Sequence, residues 1–462
     1  MKYISTRGQA PELTFEEAML TGLARDGGLY LPAEIPVMTK DEIASLAGLP
    51  YEEIAFRVMW PYVSGSFAED EFKSIIARAY QGFGHAARAP LKQLNENHFL
   101  LELFHGPTLA FKDFAMQLIG QLFQVALKRR GERVTIVGAT SGDTGSAAIE
   151  AFRGLDAVDV FILFPHGRVS EVQRRQMTTP ADSNVHALAL EGDFDDCQAA
   201  VKDMFNDFDF RDGVKLAGVN SINFARVLAQ VVYYFSAATS LGAPHRKVSF
   251  TVPTGNFGDI FAGYIAKRMG LPIDRLVVAT NQNDILHRCL SGEGYYKGDT
   301  IPSISPSMDI QVSSNFERAL YYAYGEDGNA VAQLMEELKS GGFDVSQGAL
   351  QALRETFDSG RASEEETLET IKATLASSAE LLCPHSAVGV KVGEEHRAPD
   401  VPMITLATAH PAKFPAAVEQ ASGVHPPLPP RMADLYERPE RVTRITNDLG
   451  AIQAHIKGHI SA

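Results

Sequence analysis

Cysteine is scarce in this chain. Cys197, Cys289 and Cys383 stand far apart, with no Cys-x-x-Cys spacing. That excludes a disulfide framework and a cysteine-based zinc site, and it suits a reducing cytosol. An excess of positive charge is missing too: 42 Lys and Arg against 57 Asp and Glu leave a formal charge of −15. A general nucleic-acid binder, or a ligand of anionic membranes, would need the opposite sign. A local cluster of donors can still receive a small anion, so an anionic substrate stays open. No apolar run approaches the ~18 residues of a membrane span. The opening MKYISTRGQAPELTF has no apolar stretch after its basic residue, so no signal peptide is expected. Internal repeats and low-complexity linkers are also absent. These absences point to a cytoplasmic protein with neither nucleic acid nor membrane among its partners.

The chain has 462 residues, 45% hydrophobic and 21% charged, enough for large cores in two or three units. Thr14 and Glu17 have capping-box spacing ahead of an amphipathic helix with Phe15, Ala18, Met19 and Leu23. DGGLYLPAEIP interrupts it, and helical patterns return at 40–46, 51–63 and 69–80. A mainly helical N-terminal domain over 1–90 follows from this. Over 91–462 the pattern alternates between strand and helix. Strand candidates are RVTIVGA (133–139), DVFILFP (159–165), NVHALAL (184–190), KVSFTVPTG (247–255), RLVVATN (275–281) and PMITLAT (402–408). Such alternation predicts α/β architecture with parallel sheets. Residues 325–382 read differently, as an acidic, helical and strandless insertion, with SEEE at 363–366 as a helix start.

The stretch HGPTLAFKDFAMQLIGQLF (105–123) repeats Phe111, Phe114, Ala115, Leu118, Ile119, Leu122 and Phe123 at helical spacing. Lys112 sits beside that apolar stripe. It can be a lysine snorkelling from a helix edge, or a desolvated amine able to act as nucleophile or base. Asp113 is not its helical ion-pair partner, because adjacent residues do not face each other.

Glycine loops follow the strand candidates. ATSGDTGSAA places Ser141, Gly142, Asp143, Thr144 and Gly145 between a strand and a helix start, where backbone N–H groups suit an anion. It lacks the GK[ST] of a nucleotide P-loop and the GxGxxG of a dinucleotide fold. PTGNFGDI offers Gly255, Asn256, Gly258 and Asp259 as a second cradle, and LATAHPAKF puts Thr408 at a strand end. GVNSINFARVLAQ sets Asn220, Ser221, Asn223 and Arg226 ahead of an apolar helix. It reads as an N-cap cluster with Asn220 or Ser221 as the cap, or as an anion site, since capping does not require Arg226. Arg174 and Arg175 read as surface. His105, His166, His385 and His410 lack metal-ligand spacing and read as structural or surface residues.

HGPTLAFKDFA resembles the pyridoxal-phosphate lysine motif of the threonine synthase family. YISTRG, DGGLYLP, ATSGDTGSAA, NSINFAR, PTGNFGD and ATAHPAKF resemble its other motifs in the same order, from Tyr3 to Phe414. The N-terminal domain and the acidic insertion resemble its longer form. The resemblance implies a type II pyridoxal-phosphate fold: two interleaved, open parallel-sheet α/β subdomains plus a small helical N-terminal domain. It implies pyridoxal 5′-phosphate held as an aldimine on Lys112. Gly255, Asn256, Phe257, Gly258 and Asp259 would lie around the cofactor phosphate, and Thr408 beside the pyridine nitrogen. Ser141, Asp143 and Thr144 would contact substrate. Relatives often read SGNTG here, so with Asp143 a simple hydrogen-bond donation to the cofactor's ring oxygen is not expected. Asn220, Asn223 and Arg226 would face the substrate phosphate.

The implied reaction turns O-phospho-L-homoserine and water into L-threonine and phosphate by β,γ-elimination and replacement. A monomer or weak homodimer is implied. The alternative within the fold is a lyase deaminating serine or threonine. Outside it is a non-catalytic homologue that keeps the fold as a sensor.

Overall fold

Two sheets form the frame. The computed structural model describes residues 1–218 and 220–461. One sheet has six strands, in the order Phe357–Arg361, Ile273–Thr280, Val248–Pro253, Met403–Ala407, His98–Glu102 and Leu91–Asn95. All neighbours are parallel except the last pair. The other sheet has five strands, in the order Thr443–Ile445, Val185–Leu190, Val158–Pro165, Val134–Ala139 and Leu216–Ala217, parallel throughout. The six predicted strands are all present, with ends shifted by at most two residues. Every residue of Val158–Pro165 and of Val248–Pro253 is buried. Both faces of each strand are covered by helices, which is why these sequences run apolar without alternation.

The insertion expected to be strandless is not. Phe357–Arg361 adds a parallel edge strand beside Ile273–Thr280, and Gly342–Phe343 pairs with Tyr295–Tyr296. FDSGR carries little strand propensity, and its pairing is supplied by the neighbour already in the sheet. Leu91–Asn95 and Thr443–Ile445 were also hidden in the sequence, being polar edge strands with exposed residues.

The sheets are interleaved along the chain. The second takes residues 134–217 and then 443–445, while the first takes 91–102, 248–280, 357–361 and 403–407. Because its inner strands are parallel, the ends at Glu102, Pro253 and Ala407 open on one edge.

N-terminal to this frame lie the antiparallel pair Tyr3–Ser5 and Tyr30–Pro32 and the helices Phe15–Thr21, Lys40–Ala44, Tyr51–Val63 and Glu69–Tyr80. The Thr14–Glu17 capping box forms, with Glu17 N–H donating to Thr14 Oγ1 at 3.3 Å and Thr14 N–H to Glu17 Oε2 at 2.8 Å. The first helix stops sooner than the apolar pattern predicts. Gly22, at φ 71°, closes it, and Leu23 is left 47% exposed outside. Phe114, on the helix Lys112–Arg130, fits between Tyr51, Tyr80, Phe83 and Tyr233, with ring centroids 4.7–6.1 Å apart. Gly120 on the same helix leaves room for its neighbour: a Cβ there would stand 2.3 Å from the Ala151 carbonyl oxygen.

Arg318 ties the N-terminal part to the rest. It is fully buried and donates to Tyr30 O at 2.8 and 3.2 Å, to Ile222 O at 2.6 Å and to Asn315 Oδ1. Beside it, Arg7 pairs with Glu317 at 2.9 Å. Replacing Arg318 by methionine orphans three acceptors, two of them buried, so urea denaturation should show a loss of about 3 kcal/mol or more. A loss below about 1 kcal/mol would refute this role for the guanidinium.

Candidate active site

Lys112 is the first residue of the helix Lys112–Arg130, and the loop before it is held tightly. Asp113 accepts from Thr108 N–H at 2.8 Å and from Thr108 Oγ1 at 2.6 Å. Leu109 takes a left-handed φ of 65° and is fully buried. Phe111 N–H donates to Thr408 O at 2.8 Å, and His410 N–H to Leu109 O at 2.9 Å. The lysine loop is thus laced to the loop that follows Met403–Ala407. Burial raises the Asp113 carboxyl to about 6, against the pull of its Thr108 bonds. Asp113 serves the loop, and the acidic neighbour of Lys112 is Asp143.

Asp143 opens the helix Asp143–Phe152, where the helix dipole favours an anion. Its Oδ2 lies 3.8 Å from Lys112 Nζ, and its Oδ1 lies 2.8 Å from Lys413 Nζ. Gln173 Nε2 donates to Oδ1 at 2.9 Å, and Ser307 Oγ to Oδ2 at 3.4 Å. Burial pushes the carboxyl up, but Lys413 and then Lys112 more than offset it, holding Asp143 far below the ordinary carboxylate range. The Lys112 side chain is 12% exposed. Burial brings its amine down to about 8; Asp143 opposes this, while Lys413 and Arg226 add to it.

The second glycine loop runs from Val248–Pro253 into the helix Gly258–Arg268. Phe257 caps that helix at φ 62°, with its ring seated against Phe316 and Phe357 at 5.2 and 5.3 Å. Ser313 Oγ donates to Gly255 O at 2.6 Å, and Asn315 donates through N and Nδ2 to Asn256 O, each at 3.0 Å. With the carbonyls engaged, the N–H groups of Asn256, Phe257, Gly258 and Asp259 meet no protein acceptor among the described residues. That is an anion nest at a helix start. Gly255 is required by close approach, since a Cβ there would stand 2.7 Å from Ser307 O. The Asp259 carboxyl turns away into the core, where Tyr233 and Tyr234 hydroxyls donate to Oδ1 at 2.5 and 3.0 Å. Only its backbone N–H is left for an anion.

The first loop is built similarly. Thr140 Oγ1 accepts from Gly142 and Gly145 N–H, both at 2.9 Å. The N–H groups of Ser141, Asp143 and Thr144, and the Ser141 and Thr144 hydroxyls, have no protein partner among the described residues. Ser307 bridges the two loops, pressing on Gly255 and donating its N–H to His385 Nε2 at 3.1 Å. Thr408 N–H donates to Ser386 Oγ at 3.2 Å, and its 6% exposed side chain bonds to no protein group among the described residues. An amine, an N–H nest for a phosphate and a neutral hydroxyl fit a phosphorylated aldehyde cofactor.

The NSINFAR segment divides. Asn223 is fully buried and is itself the cap of the helix Phe224–Ser240. It accepts from Ala225 N–H at 3.1 Å and donates to Met19 O at 2.7 Å. The cap is therefore neither Asn220 nor Ser221, and the Asn223 amide spends one N–H on Met19 O and one lone pair on the helix start. Asn220 is exposed, with Oδ1 accepting from Ile222 N–H at 3.3 Å. Arg226 is buried near Lys112, and burial lowers its guanidinium to about 10.

Comparison with known proteins agrees with this geometry. The family model described as threonine synthase N terminus matches residues 2–80, and that for threonine synthase, C-terminal, matches 386–456. The model described as pyridoxal-phosphate dependent enzyme matches 85–403. A threonine synthase of Pseudomonas aeruginosa is 59% identical, over 99% of this chain and 98% of its own. The chain belongs to the threonine synthase family. The pyridoxal-phosphate-bound threonine synthase of Brucella melitensis superposes with a TM-score of 0.98 at 57% identity, covering 100% of both chains. The yeast threonine synthase superposes at 0.94 with 40% identity, covering 99% of this chain and 98% of its own. The two parallel sheets are those of the type II pyridoxal-phosphate fold.

Sequence reasoning missed Lys413, His385, Gln173 and Ser307. Lys413 lies in the ATAHPAKF motif, but nothing in its spacing says that it folds back onto Asp143. His385, read as structural or surface, is buried beside Asp143, and burial drops its imidazole to about 4, leaving it neutral. Among the described residues no cluster could hold a metal ion.

Burial lifts the Asp259 carboxyl from 3.8 to about 7, while the tyrosine hydrogen bonds work against the rise. The folded state therefore keeps this proton longer than the unfolded state does. The associated stability is full below about pH 4 and disappears as pH rises towards 7. Asp259→Asn keeps an acceptor for the tyrosines but cannot titrate. Between about pH 5 and 8 the wild type should lose roughly 1–3 kcal/mol more than this variant in urea titrations. Parallel pH profiles for the two proteins would refute the assignment.

Proposed function

We propose that this chain converts O-phospho-L-homoserine and water into L-threonine and phosphate, as a pyridoxal-phosphate-dependent carbon–oxygen lyase acting by β,γ-elimination and replacement. The observation that carries the reading is the Lys112 amine, desolvated to about 8, placed where two N–H-lined loops meet. Pyridoxal 5′-phosphate, when bound, supplies an aldehyde for a lysine amine and a ring that draws charge from the substrate Cα.

The chain's own groups then divide the work. The N–H groups of Asn256 to Asp259 hold the cofactor phosphate, and Thr408 offers the pyridine nitrogen a neutral hydroxyl. A carboxylate there would favour a protonated ring, whereas a hydroxyl donates to an unprotonated one. The backbone and hydroxyls of Ser141 and Thr144 receive the amino-acid carboxylate. Once displaced by substrate, the Lys112 amine takes the Cα proton, and its lowered basicity keeps much of it unprotonated near neutral pH. Arg226, with Asn220 at the rim, faces the substrate phosphate; Asn223 acts through the helix it caps.

The three cysteines are buried and free, in keeping with a reducing cytoplasm. Among the described residues no helix is long and apolar enough to cross a membrane. The proposed division into 1–90 and 91–462 is supported by the first strand of the six-stranded sheet beginning at Leu91.

Lys112→Ala should abolish the cofactor's lysine-linked visible absorbance and cut turnover roughly 10^3-fold. Full activity with an unchanged spectrum would sink the proposal. Phosphate release from O-phosphohomoserine, measured against 2-oxoacid formation from threonine, separates it from a dehydratase, and the first should dominate. Gly255→Ala should weaken cofactor binding about tenfold in an equilibrium titration, because the new Cβ displaces the nest. An unchanged affinity would show that the loop absorbs the methyl group.

A further inference from the structure

Two lysines share one buried carboxylate. Lys413 Nζ is fully buried 2.8 Å from Asp143 Oδ1, and Lys112 Nζ stands 3.8 Å from Oδ2. Lys413 makes one further bond, to Thr108 O at 2.8 Å, and Thr108 is the residue that Asp113 holds just ahead of Lys112. One ammonium is thus fastened both to the carboxylate and to the lysine loop. A carboxylate meant only to neutralise Lys112 would need no second cation, and burying one without a purpose is costly.

We infer that Lys413 is a positioning residue for the reaction: it claims Oδ1 of Asp143, leaves only Oδ2 turned towards Lys112, and so keeps the Lys112 amine able to give up its proton. The inference rests on the reading that Lys112 is the amine that carries the chemistry. The charged and titratable groups around Lys112 are Asp143, Lys413, Arg226 and His385, with Cys383 next to Asp143 and Asp113 next to Lys413. His385 is neutral near pH 7, its imidazole having been brought down to about 4 by burial. Among the groups that act on Lys112, Asp143 alone favours the ammonium, while Lys413 and Arg226 disfavour it. Without Lys413 the full carboxylate charge would fall on Lys112 and hold its proton. Without Asp143 the proton would leave earlier.

The test uses the full-length chain freed of cofactor. Acetylation of Lys112 by acetic anhydride is followed by peptide mass spectrometry over roughly pH 6 to 10. The wild-type midpoint should lie near 8. Lys413→Met should raise it by about one pH unit, a tenfold change in proton affinity, and Asp143→Asn should lower it by a similar amount. A purely structural Lys413 would leave the midpoint unmoved, and an unmoved or lowered midpoint in a folded Lys413→Met protein overturns the inference. If circular dichroism shows that protein unfolded, Lys413→Gln replaces it, keeping a donor for Thr108 O without the charge. The same rise is then expected, and its absence is equally decisive.

The functional reading fails separately. If the wild type takes up pyridoxal 5′-phosphate with a spectrum that Lys112→Ala does not change, that reading falls whatever the midpoints. A Lys112-dependent spectrum with unmoved midpoints overturns the role of Lys413 alone.

Discussion

The candidate active site depends on one desolvated negative charge. Asp143 begins a helix of the five-stranded half, and its two oxygens collect a lysine from each of two loops of the other half. Gln173 and Ser307 complete the set. Removing water from a carboxylate is expensive, and only a near-complete set of charged and dipolar partners repays it. The same set therefore orders the site: each partner comes from a different segment, and each loses its counterpart if another moves. Five stretches of chain are held in register by two atoms.

The sheets bring those stretches together. Parallel pairing of Val248–Pro253, Met403–Ala407 and His98–Glu102 puts three strand ends on one edge, so the loops that follow them are neighbours. The helix starts at Asp143 and Gly258 carry unbonded N–H groups beside these loops, while the helix start at Lys112 supplies the amine. Behind the edge, the aromatic packing around Phe114 and the buried Arg318 bind the N-terminal hairpin and helices to the catalytic frame. The N-terminal part is continuous in packing with the helix that begins at Lys112.

Much of this was legible from residue order. The buried strands announced themselves as apolar runs, and the capping boxes at Thr14 and Ser363 formed as their spacing requires. The Lys112 helix buried the predicted stripe from Phe114 to Phe123, with Phe111 left just outside as its cap. What stayed hidden were elements whose stability is borrowed. FDSGR becomes a strand only because a strand edge awaits it, and LKQLN and TRI sit at edges where polar side chains face water. The NSINFAR segment is a helix start, as its composition requires, but three closely spaced capping residues compete there, and the Asn223 bond to Met19 O, made only in the folded chain, favours Asn223.

The sequence by itself determined the α/β class, the candidate lysine, the glycine loops and, through the order of its motifs, the family. These are local properties, written in periodicity and in residue types within a few positions of each other. Tertiary structure alone decided which charges meet. Lys413 and Asp143 are 270 positions apart, and their ion pair exists because two sheets place their loops face to face. It also turned Asp259 inward to two tyrosines and set the ionisation of Lys112, since burial and neighbouring charge are properties of the assembled fold and have no local signature.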